Sequence, residues 1–197
     1  MTEFILPISA DARVIDLGAG AGVMPIIIAA KTLTTHIVGV EIDPDMAGLA
    51  RENVARNGLE NRITVMNADL RALADVYPEG AFSVVISNPP YRKAGAGRPS
   101  PIEARETARA ESATLTELLR VSRRLAGACG RIFYVYPVAR LQEMLEECGA
   151  AALRPKRLRF MRAKADATAK FFMIELGAEG GLSIEETILT RREDGKA

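Results

Sequence analysis

Apolar residues along this chain form short runs that alternate with amphipathic stretches. Five apolar runs of strand length occupy residues 13–17, 37–41, 63–67, 82–87 and 131–136, with stretches of helical character between them. Apolar strands that are joined by helices pair in parallel, and the helices then cover both faces of the sheet. The pattern therefore predicts an α/β fold with a mostly parallel sheet.

The helices between these strands carry recognisable end signals. Asp43 is a preferred N-cap residue, Pro44 suits the first helical position, and Gly58 suits the residue after a helix end. Apolar spacing also predicts a helical region over residues 102–125 and a helix over residues 138–148 that ends at Gly149. Helices are thus predicted in three of the connections between strands.

The pattern changes after residue 149. Residues 156–161, 170–176 and 182–189 are strand-like, with no helical stretch between them. Strands joined by short connections pair antiparallel, which predicts an antiparallel strand at the edge of the sheet. We predict one domain over residues 1–190 and a charged tail over residues 191–197.

Composition narrows the class of protein. The 197 residues are 48% hydrophobic and 26% charged, which is typical of one globular domain with a substantial core. The net charge is +1, so a nucleic-acid partner would have to bind a local basic patch. The sequence shows no metal-ligand spacing around Cys129, Cys148 or the single His36, no signal peptide and no apolar run of membrane-spanning length. We therefore expect a cytoplasmic protein without a bound metal or a membrane partner.

A glycine-rich turn follows the first predicted strand. Gly18, Gly20 and Gly22 lie between that strand and the next helical stretch, where the backbone can approach a ligand at a helix N-terminus. Such a turn serves a dinucleotide, a nucleotide-like cofactor or only a tight connection. Asp16 precedes the glycines, and its carboxylate favours a cationic amino-acid moiety over a pyrophosphate.

Two further acids end the next two predicted strands. Glu41 can accept hydrogen bonds from both hydroxyls of a ribose, and Asp69 can accept one from an adenine amino group. A phosphate-binding P-loop would require Lys and then Ser or Thr after the glycines, but the chain has Val23 and Met24 there. A nicotinamide-dependent dehydrogenase remains an alternative on these residues alone.

The segment Asn88-Pro89-Pro90-Tyr91 follows the fourth apolar run. The Asn88 amide oxygen and the Pro89 carbonyl oxygen can accept both hydrogens of a planar amine and so release its delocalised lone pair. Pro90 lacks an N–H and restricts Pro89 to an extended conformation, and Tyr91 can stack on a flat substrate. This arrangement predicts methylation of a planar amine. A dehydrogenase would give the Asn-Pro-Pro-Tyr segment no role.

Taken in this order, these residues resemble the class I S-adenosylmethionine-dependent methyltransferases. The resemblance assigns Asp16, Gly18 and Gly20 to the first cofactor motif, Glu41 to the ribose and Asp69 to adenine. It assigns catalysis to Asn88, Pro89 and Tyr91. It implies S-adenosylmethionine as the cofactor and a Rossmann-like, seven-stranded, mostly parallel sheet with an antiparallel edge strand and helices on both faces.

The residues after Tyr91 are similar to a narrower group, the bacterial tRNA adenine exocyclic-amino methyltransferases that modify the anticodon region of a valine tRNA. In that group the same motif is followed by a basic, glycine-rich loop. The resemblance implies tRNA as the partner and places four residues on the substrate side, namely Pro90, Arg92, Lys93 and Arg98. The cations of such a loop can bind phosphates while a base is flipped onto Tyr91.

A second basic segment lies in the predicted strand near residue 160. Strand alternation places Arg157 and Arg159 on one face, which predicts a surface for an RNA backbone. The chain departs from the group at its start, where a dozen residues precede the first strand. These dozen residues do not include the segment that, in relatives, closes over the methionine part of the cofactor. Two explanations of this departure remain open: the chain is shortened, or the residues given are part of a longer protein.

Three other functions remain open at this stage. The same motif suits a protein glutamine amide, whose nitrogen is also planar. A small-molecule O-methyltransferase would normally use a metal or a histidine base, neither of which is clearly placed in the sequence. The chain could also bind the cofactor or RNA without catalysing transfer.

Overall fold

The structure, a computed structural model, describes residues 1–89 and 113–189. Within these residues one sheet of eight strands has the order β3-β2-β1-β4-β5-β7-β6-β8. The strands are β1 Arg13–Leu17, β2 His36–Glu41, β3 Ile63–Asn67, β4 Val84–Ser87, β5 Arg131–Pro137, β6 Arg154–Arg162, β7 Phe171–Gly177 and β8 Ser183–Leu189. The described helices are α1 Thr2–Ile5, α2 Val23–Lys31, α3 Pro44–Arg56, α4 Leu73–Val76, α5 Leu115–Ala126 and α6 Leu141–Ala150, with 3₁₀ turns at Leu70–Ala72 and Val138–Arg140. The helical prediction for residues 102–112 and the charged tail 191–197 lie outside the described residues.

The predicted α/β class is confirmed, with two differences in the sheet. Strands β1 to β5 pair in parallel, and β7 pairs antiparallel with both β5 and β6. The sheet has eight strands instead of seven, and its antiparallel strand lies inside the sheet instead of at the edge. Burial explains this order, because Phe172, Met173 and Ile174 of β7 are all buried, while β8 is largely exposed. A strand that is apolar on both faces is stable only between other strands.

Helices cover both faces of the sheet. On one face, α1, α2 and α3 pack against a cluster that includes Val14, Ile37 and Phe133. On the other face, α4, α5 and α6 pack against a cluster that includes Ile15 and Tyr134. Adjacent residues of β1 therefore point to opposite faces, as the two-residue period of a strand requires.

The start of α3 agrees with the sequence signals, and the end of α6 does not. Asp43 caps α3, and its Oδ1 accepts a hydrogen bond of 2.9 Å from the Asp45 N–H, as predicted. Helix α6 continues past Gly149 to Ala150, so the predicted end at Gly149 was wrong. The chain turns later, at Ala152, where φ is 53°.

No helix in the described parts of the chain is both long and apolar enough to cross a bilayer. The cytoplasmic location stays a prediction.

The basic face predicted for the strand near residue 160 is neutralised. Glu185 Oε1 accepts a hydrogen bond of 3.0 Å from Arg157 Nη1, and Glu185 Oε2 accepts one of 2.7 Å from Arg159 Nε. Arg157 also donates to Glu175 and, over 2.7 Å, to the carbonyl oxygen of Phe4. Both guanidinium groups lie over the Phe4 ring. The prediction of an uncompensated basic face for an RNA backbone was wrong, because Glu175 of β7 and Glu185 of β8 neutralise it, and the alternation within β6 does not show which strands pair with it.

Glu175→Gln is expected to lower the free energy of unfolding at pH 7 by about 2–4 kcal/mol, because it removes the carboxylate that Arg131 pairs with and leaves the partly buried Arg157 with Glu185 alone. Glu175 Oε1 accepts a hydrogen bond of 3.0 Å from Arg131 Nε, and Oε2 accepts one from Arg157. Burial by itself would raise the pKa of Glu175, but these two hydrogen bonds outweigh it and hold the pKa below the ordinary 4.5.

A depressed carboxyl pKa contributes stability above the unfolded-state pKa, and this contribution is lost as the pH falls through the folded-state pKa. The difference between wild type and Glu175→Gln should therefore shrink below about pH 4. Urea unfolding at several pH values measures it, with the exposed Glu179→Gln as the matched control. Equal stability of the two variants at neutral pH would contradict the prediction.

Candidate functional site

The predicted site residues of the described chain lie along one edge of the sheet. Because β1 to β4 are parallel, the turns after them emerge at the same edge. Leu17 at the end of β1 pairs with Val40 of β2 on one side and with Ser87 of β4 on the other. The chain goes from β1 to β2 in one direction and later returns to β4 on the other side. In open α/β sheets, ligands bind in the crevice at such a switch point.

The glycine-rich turn after β1 has a backbone conformation that needs glycine. Gly18 and Gly20 have φ values of 79° and 53°, in the left-handed region. A Cβ built on Gly18 meets no atom within 4 Å, so it would project into open space at the sheet edge. A Cβ on Gly22 would lie 3.2 Å from the Ala50 Cβ, which shows how closely α3 packs on the turn. The turn therefore offers its backbone to the crevice while α3 supports it from behind.

Glu41 connects the loops after β1 and β2. Its Oε2 accepts a hydrogen bond of 2.8 Å from the Gly20 N–H, and its Oε1 accepts one of 3.0 Å from the Asp43 N–H. A carboxylate oxygen can accept more than one hydrogen bond, so each keeps capacity for a ligand hydroxyl. Asn67 supports the backbone around Glu41, a role that the sequence analysis missed. Its side-chain amide donates hydrogen bonds of 2.9 and 3.0 Å to the carbonyl oxygens of Glu41 and Ile42.

Asp16 is a buried acid without a cationic partner in the described chain. Its residue is 3% exposed, and its carboxylate accepts no hydrogen bond from residues 1–89 or 113–189. Burial, and secondly the charge of Glu41, raises the pKa of Asp16 to about 7. An ionised carboxylate in this position is unfavourable unless a cation approaches it.

Asp69 is already engaged by a residue that the sequence analysis did not single out. Its Oδ1 accepts a hydrogen bond of 2.9 Å from the Arg71 N–H and caps the first 3₁₀ turn. The Arg71 guanidinium donates to both carboxylate oxygens over 2.5 to 3.0 Å. These contacts hold the pKa of Asp69 below its ordinary value. A ligand amino group at Asp69 must share the carboxylate with Arg71 or displace the guanidinium. The two-residue spacing from acid to arginine is the only sequence signal for this pair.

A third residue that the sequence analysis missed is Ile42. It lies between Glu41 and Asp43 at the same edge, and 38% of its surface is exposed. Its neighbours here are polar or charged, so an apolar side chain at this point offers a flat base a surface on which to pack.

The Asn-Pro corner lies directly beside the glycine turn. Asn88 and Pro89 follow β4, and the Ser87 hydroxyl donates a hydrogen bond of 2.7 Å to the Leu17 carbonyl oxygen of β1. Asn88 is exposed and Pro89 is half-buried. The other predicted catalytic and substrate residues lie outside the described residues, namely Pro90, Tyr91, Arg92, Lys93 and Arg98.

Beyond β4, the edge continues with an aromatic and basic group that was not predicted. Tyr136 near the end of β5 is buried, and the Arg140 guanidinium lies 4.8 Å from the centre of its ring. Arg140 also donates two hydrogen bonds, of 2.8 and 2.6 Å, to the Glu143 carboxylate. Burial raises the pKa of Tyr136 to about 12, so its hydroxyl stays protonated. Because β5 pairs in parallel with β4, this group lies at the same edge of the sheet as the Asn-Pro corner.

In the part of the chain that the structure describes, no three His, Cys, Asp or Glu residues form a group that could hold a metal ion. The prediction that the site uses no metal stays a prediction.

Comparison with known proteins gives a family match and related chains. A family model described as "Methyltransferase small domain" matches residues 3–121. A tRNA1(Val) (adenine(37)-N6)-methyltransferase from Parabacteroides distasonis is 30% identical over 169 residues, which cover 84% of this chain and 69% of the relative. A protein of the same name from Aeromonas salmonicida is 33% identical over 142 residues, or 71% of this chain and 57% of the relative.

Solved structures show the same fold. A predicted O-methyltransferase from Agrobacterium tumefaciens superposes with a TM-score of 0.72 at 19% identity, covering 98% of this chain and 86% of that one. At this identity the likeness shows the fold alone. The chain spans less than two thirds of the Aeromonas relative, so that relative's whole activity does not transfer to it directly.

Proposed function

The chain belongs to the methyltransferase small domain family, and from this premise we propose that it transfers a methyl group from S-adenosylmethionine to the exocyclic amine of an adenine in tRNA. The relatives named for adenine-N6 methylation of tRNA1(Val) support the choice of acceptor. Adenine 37 of that tRNA, the target in their names, is the first substrate to test.

One observation carries the proposal, namely the contact between the Asn-Pro corner and the glycine turn. Ser87, the residue before Asn88, pairs with Leu17, the residue before Gly18. Neighbouring strands lie about 4.8 Å apart, so a ligand at the glycine turn is next to a ligand at Asn88. A methyl donor and a planar amine can therefore meet across this single strand boundary.

The residues of the described site fit the proposed cofactor. The buried carboxylate of Asp16, which has no cationic partner among residues 1–89 and 113–189, suits the cofactor's amino group, because a cation relieves the cost of its ionisation. Glu41 has remaining lone pairs for the two ribose hydroxyls. Asp69 and Ile42 suit the amino group and the face of the adenine. When bound, S-adenosylmethionine supplies a methyl group on a positively charged sulfur that departs as a neutral thioether.

Asn88 and Pro89 prepare the nucleophile. The exocyclic nitrogen of adenine is a poor nucleophile because its lone pair is delocalised into the ring. The Asn88 Oδ1 and the Pro89 carbonyl oxygen accept its two hydrogens, which favours a tetrahedral nitrogen and directs the lone pair toward the glycine turn. With the cofactor bound, transfer would join the methyl carbon to this nitrogen and break its bond to the sulfur, and one proton of the methylated amine would pass to water.

This division of roles requires no strong base. The positive charge of the sulfur is lost in the reaction, and correct placement of two reactants can lower a barrier by roughly 7–11 kcal/mol. The chain therefore needs groups that orient the amine and exclude alternative geometries. Asn88 and Pro89 supply the orientation.

Labelled methyl transfer to total tRNA from a strain that lacks the gene tests the proposal. Nucleoside mass spectrometry should find the label in N6-methyladenosine. Label in a ribose, in a carboxylate or in protein glutamine would contradict it, as would cofactor binding without any transfer to RNA.

A further inference from the structure

The turn between β6 and β7, here called the β6–β7 hairpin and defined as residues 162–170, lies at the same edge of the sheet as Asn88. Strand β7 is antiparallel to β5, so it begins where β5 ends, with Phe171 opposite Pro137. The Val138 N–H donates a hydrogen bond of 2.9 Å to the Lys170 carbonyl oxygen, and the Lys170 N–H donates one of 3.2 Å to the Met161 carbonyl oxygen. The hairpin is thereby fixed at the acceptor side of the site.

The distance from the hairpin to the Asn-Pro corner is short. In the sheet order β4-β5-β7-β6, strands β4 and β7 are two positions apart. With neighbouring strands about 4.8 Å apart, this is a separation of about 10 Å across the sheet. A nucleic-acid strand with one base at Asn88 can reach the hairpin with the phosphates of nearby nucleotides.

Positive charge is concentrated at this hairpin. It contains Arg162, Lys164 and Lys170 with Asp166 as its one acid. Lys164 and Lys170 are exposed, and within residues 1–89 and 113–189 neither forms an ion pair.

The middle of β6 is different, because Glu175 and Glu185 neutralise Arg157 and Arg159. Among the described residues, exposed cations without an ion pair therefore lie beyond both ends of this neutralised segment, and only Lys164 and Lys170 adjoin the site, since Arg154 and Lys156 lie at the opposite end of β6.

We propose that Lys164 and Lys170 of the β6–β7 hairpin bind phosphates of the RNA acceptor and so hold the strand whose adenine enters at Asn88. This inference rests on the proposed function, since it takes the acceptor to be RNA. Phosphate contacts fix the position of a nucleic acid without reading its sequence. The hairpin supplies affinity and register, and the Asn-Pro corner selects the amine.

A pair of double variants tests the proposal. Lys164→Gln/Lys170→Gln removes both charges and keeps much of each side-chain stem. Arg154→Gln/Lys156→Gln is the matched control, because both of these residues are exposed. They lie at the opposite end of β6 from the hairpin, roughly 20 Å along the strand from its end at Arg162. The thermal midpoint of each variant checks that it is folded.

Binding of unmodified tRNA is measured over a range of salt concentrations. Each lost phosphate contact lowers the slope of log affinity against log salt by roughly 0.7–0.9, so the hairpin variant should lose about 1.4–1.8 of the slope. The control should keep the wild-type slope. The KM for tRNA should rise in the hairpin variant, while the rate with adenosine as a minimal acceptor should stay unchanged.

The outcomes separate this inference from the proposed function. If the wild type methylates tRNA and the hairpin variant keeps the wild-type slope, the hairpin inference is wrong and the proposed function stands. If the hairpin lysines set the slope of tRNA binding but no methyl group is transferred to RNA, the proposed function is wrong and the hairpin still binds phosphate. A wild type that does not bind tRNA overturns the hairpin inference.

Discussion

Asn88→Ala is expected to lower kcat for methyl transfer by about 10²- to 10³-fold, the usual effect of removing one positioned hydrogen-bonding group from a reacting centre. The amide oxygen of Asn88 accepts one amine hydrogen in our proposal, and alanine cannot replace it. The Pro89 carbonyl alone would leave the nitrogen closer to planar, with its lone pair still delocalised. Single-turnover kinetics with saturating tRNA measure the chemical step directly.

Cofactor affinity should change little in Asn88→Ala, because the residue lies on the β4 side of the glycine turn. Asp69→Ala should do the reverse and weaken cofactor binding with a smaller effect on the chemical step. Asn61→Ala is the matched control, since Asn61 is an exposed asparagine before β3 at the opposite edge of the sheet. Equal loss of cofactor affinity in the Asn88 and Asp69 variants would show that their roles are not divided in this way.

Asp16→Asn is expected to have opposite effects on binding and on stability. Loss of the carboxylate should weaken cofactor binding by on the order of 100-fold, because a buried charge pair with the cofactor's amino group is lost. The ligand-free protein should become more stable at pH 8, by up to about 4 kcal/mol, because the variant no longer buries an ionised acid. Isothermal titration calorimetry and urea unfolding measure the two effects.

The pH dependence follows from the raised pKa of Asp16. Burial first, and then Glu41, raises this pKa from 3.8 to about 7. The folded state therefore holds a proton that the unfolded state releases between these two values, so wild-type stability falls as the pH rises from about 4 to about 7. Above pH 7 the cost of the ionised Asp16 is constant, and below about pH 4 it vanishes.

The stability gain of Asp16→Asn should accordingly be near zero at pH 4 and largest at pH 8. The exposed Asp166→Asn is the control and should show no such trend. Saturating cofactor should reduce or reverse the gain at pH 8, since it stabilises only the chain that binds it well. A gain that is independent of pH would mean that the charge of Asp16 is not its cause.

Sequence periodicity was sufficient for the first half of the sheet because each strand there is apolar by itself. The runs at 13–17 and 63–67 match β1 and β3 in full, and Asp43 caps α3 as its residue type indicates. Parallel pairing then places the acids near the ends of β1 and β2 at one edge without further information. For this reason the relative placement of Asp16 and Glu41 could be predicted from order alone.

The rest depends on contacts between side chains that periodicity and residue type alone do not reveal. Arg157 was predicted to face RNA because the sequence does not show that Glu175 of β7 and Glu185 of β8 lie beside it in the sheet. The interior position of β7 depends on which faces of the sheet are covered by helices. The pattern of apolar residues along the strand does not show this. Arg71 was missed because an arginine after an acid is common on surfaces and has no meaning until the 3₁₀ turn brings the two side chains together.

The two hydrogen bonds that Glu41 accepts have a consequence for how affinity can change during evolution. The Glu41 side chain fixes the backbone of the loops after β1 and β2 when the chain folds. The conformational entropy of these two loops is therefore lost during folding, and ligand binding does not have to pay for it again. Substitutions far from the crevice that loosen the packing of α3 on the sheet would return that freedom to the loops. Affinity for a nucleoside ligand in this fold is therefore tied to the packing of the helix that follows Glu41.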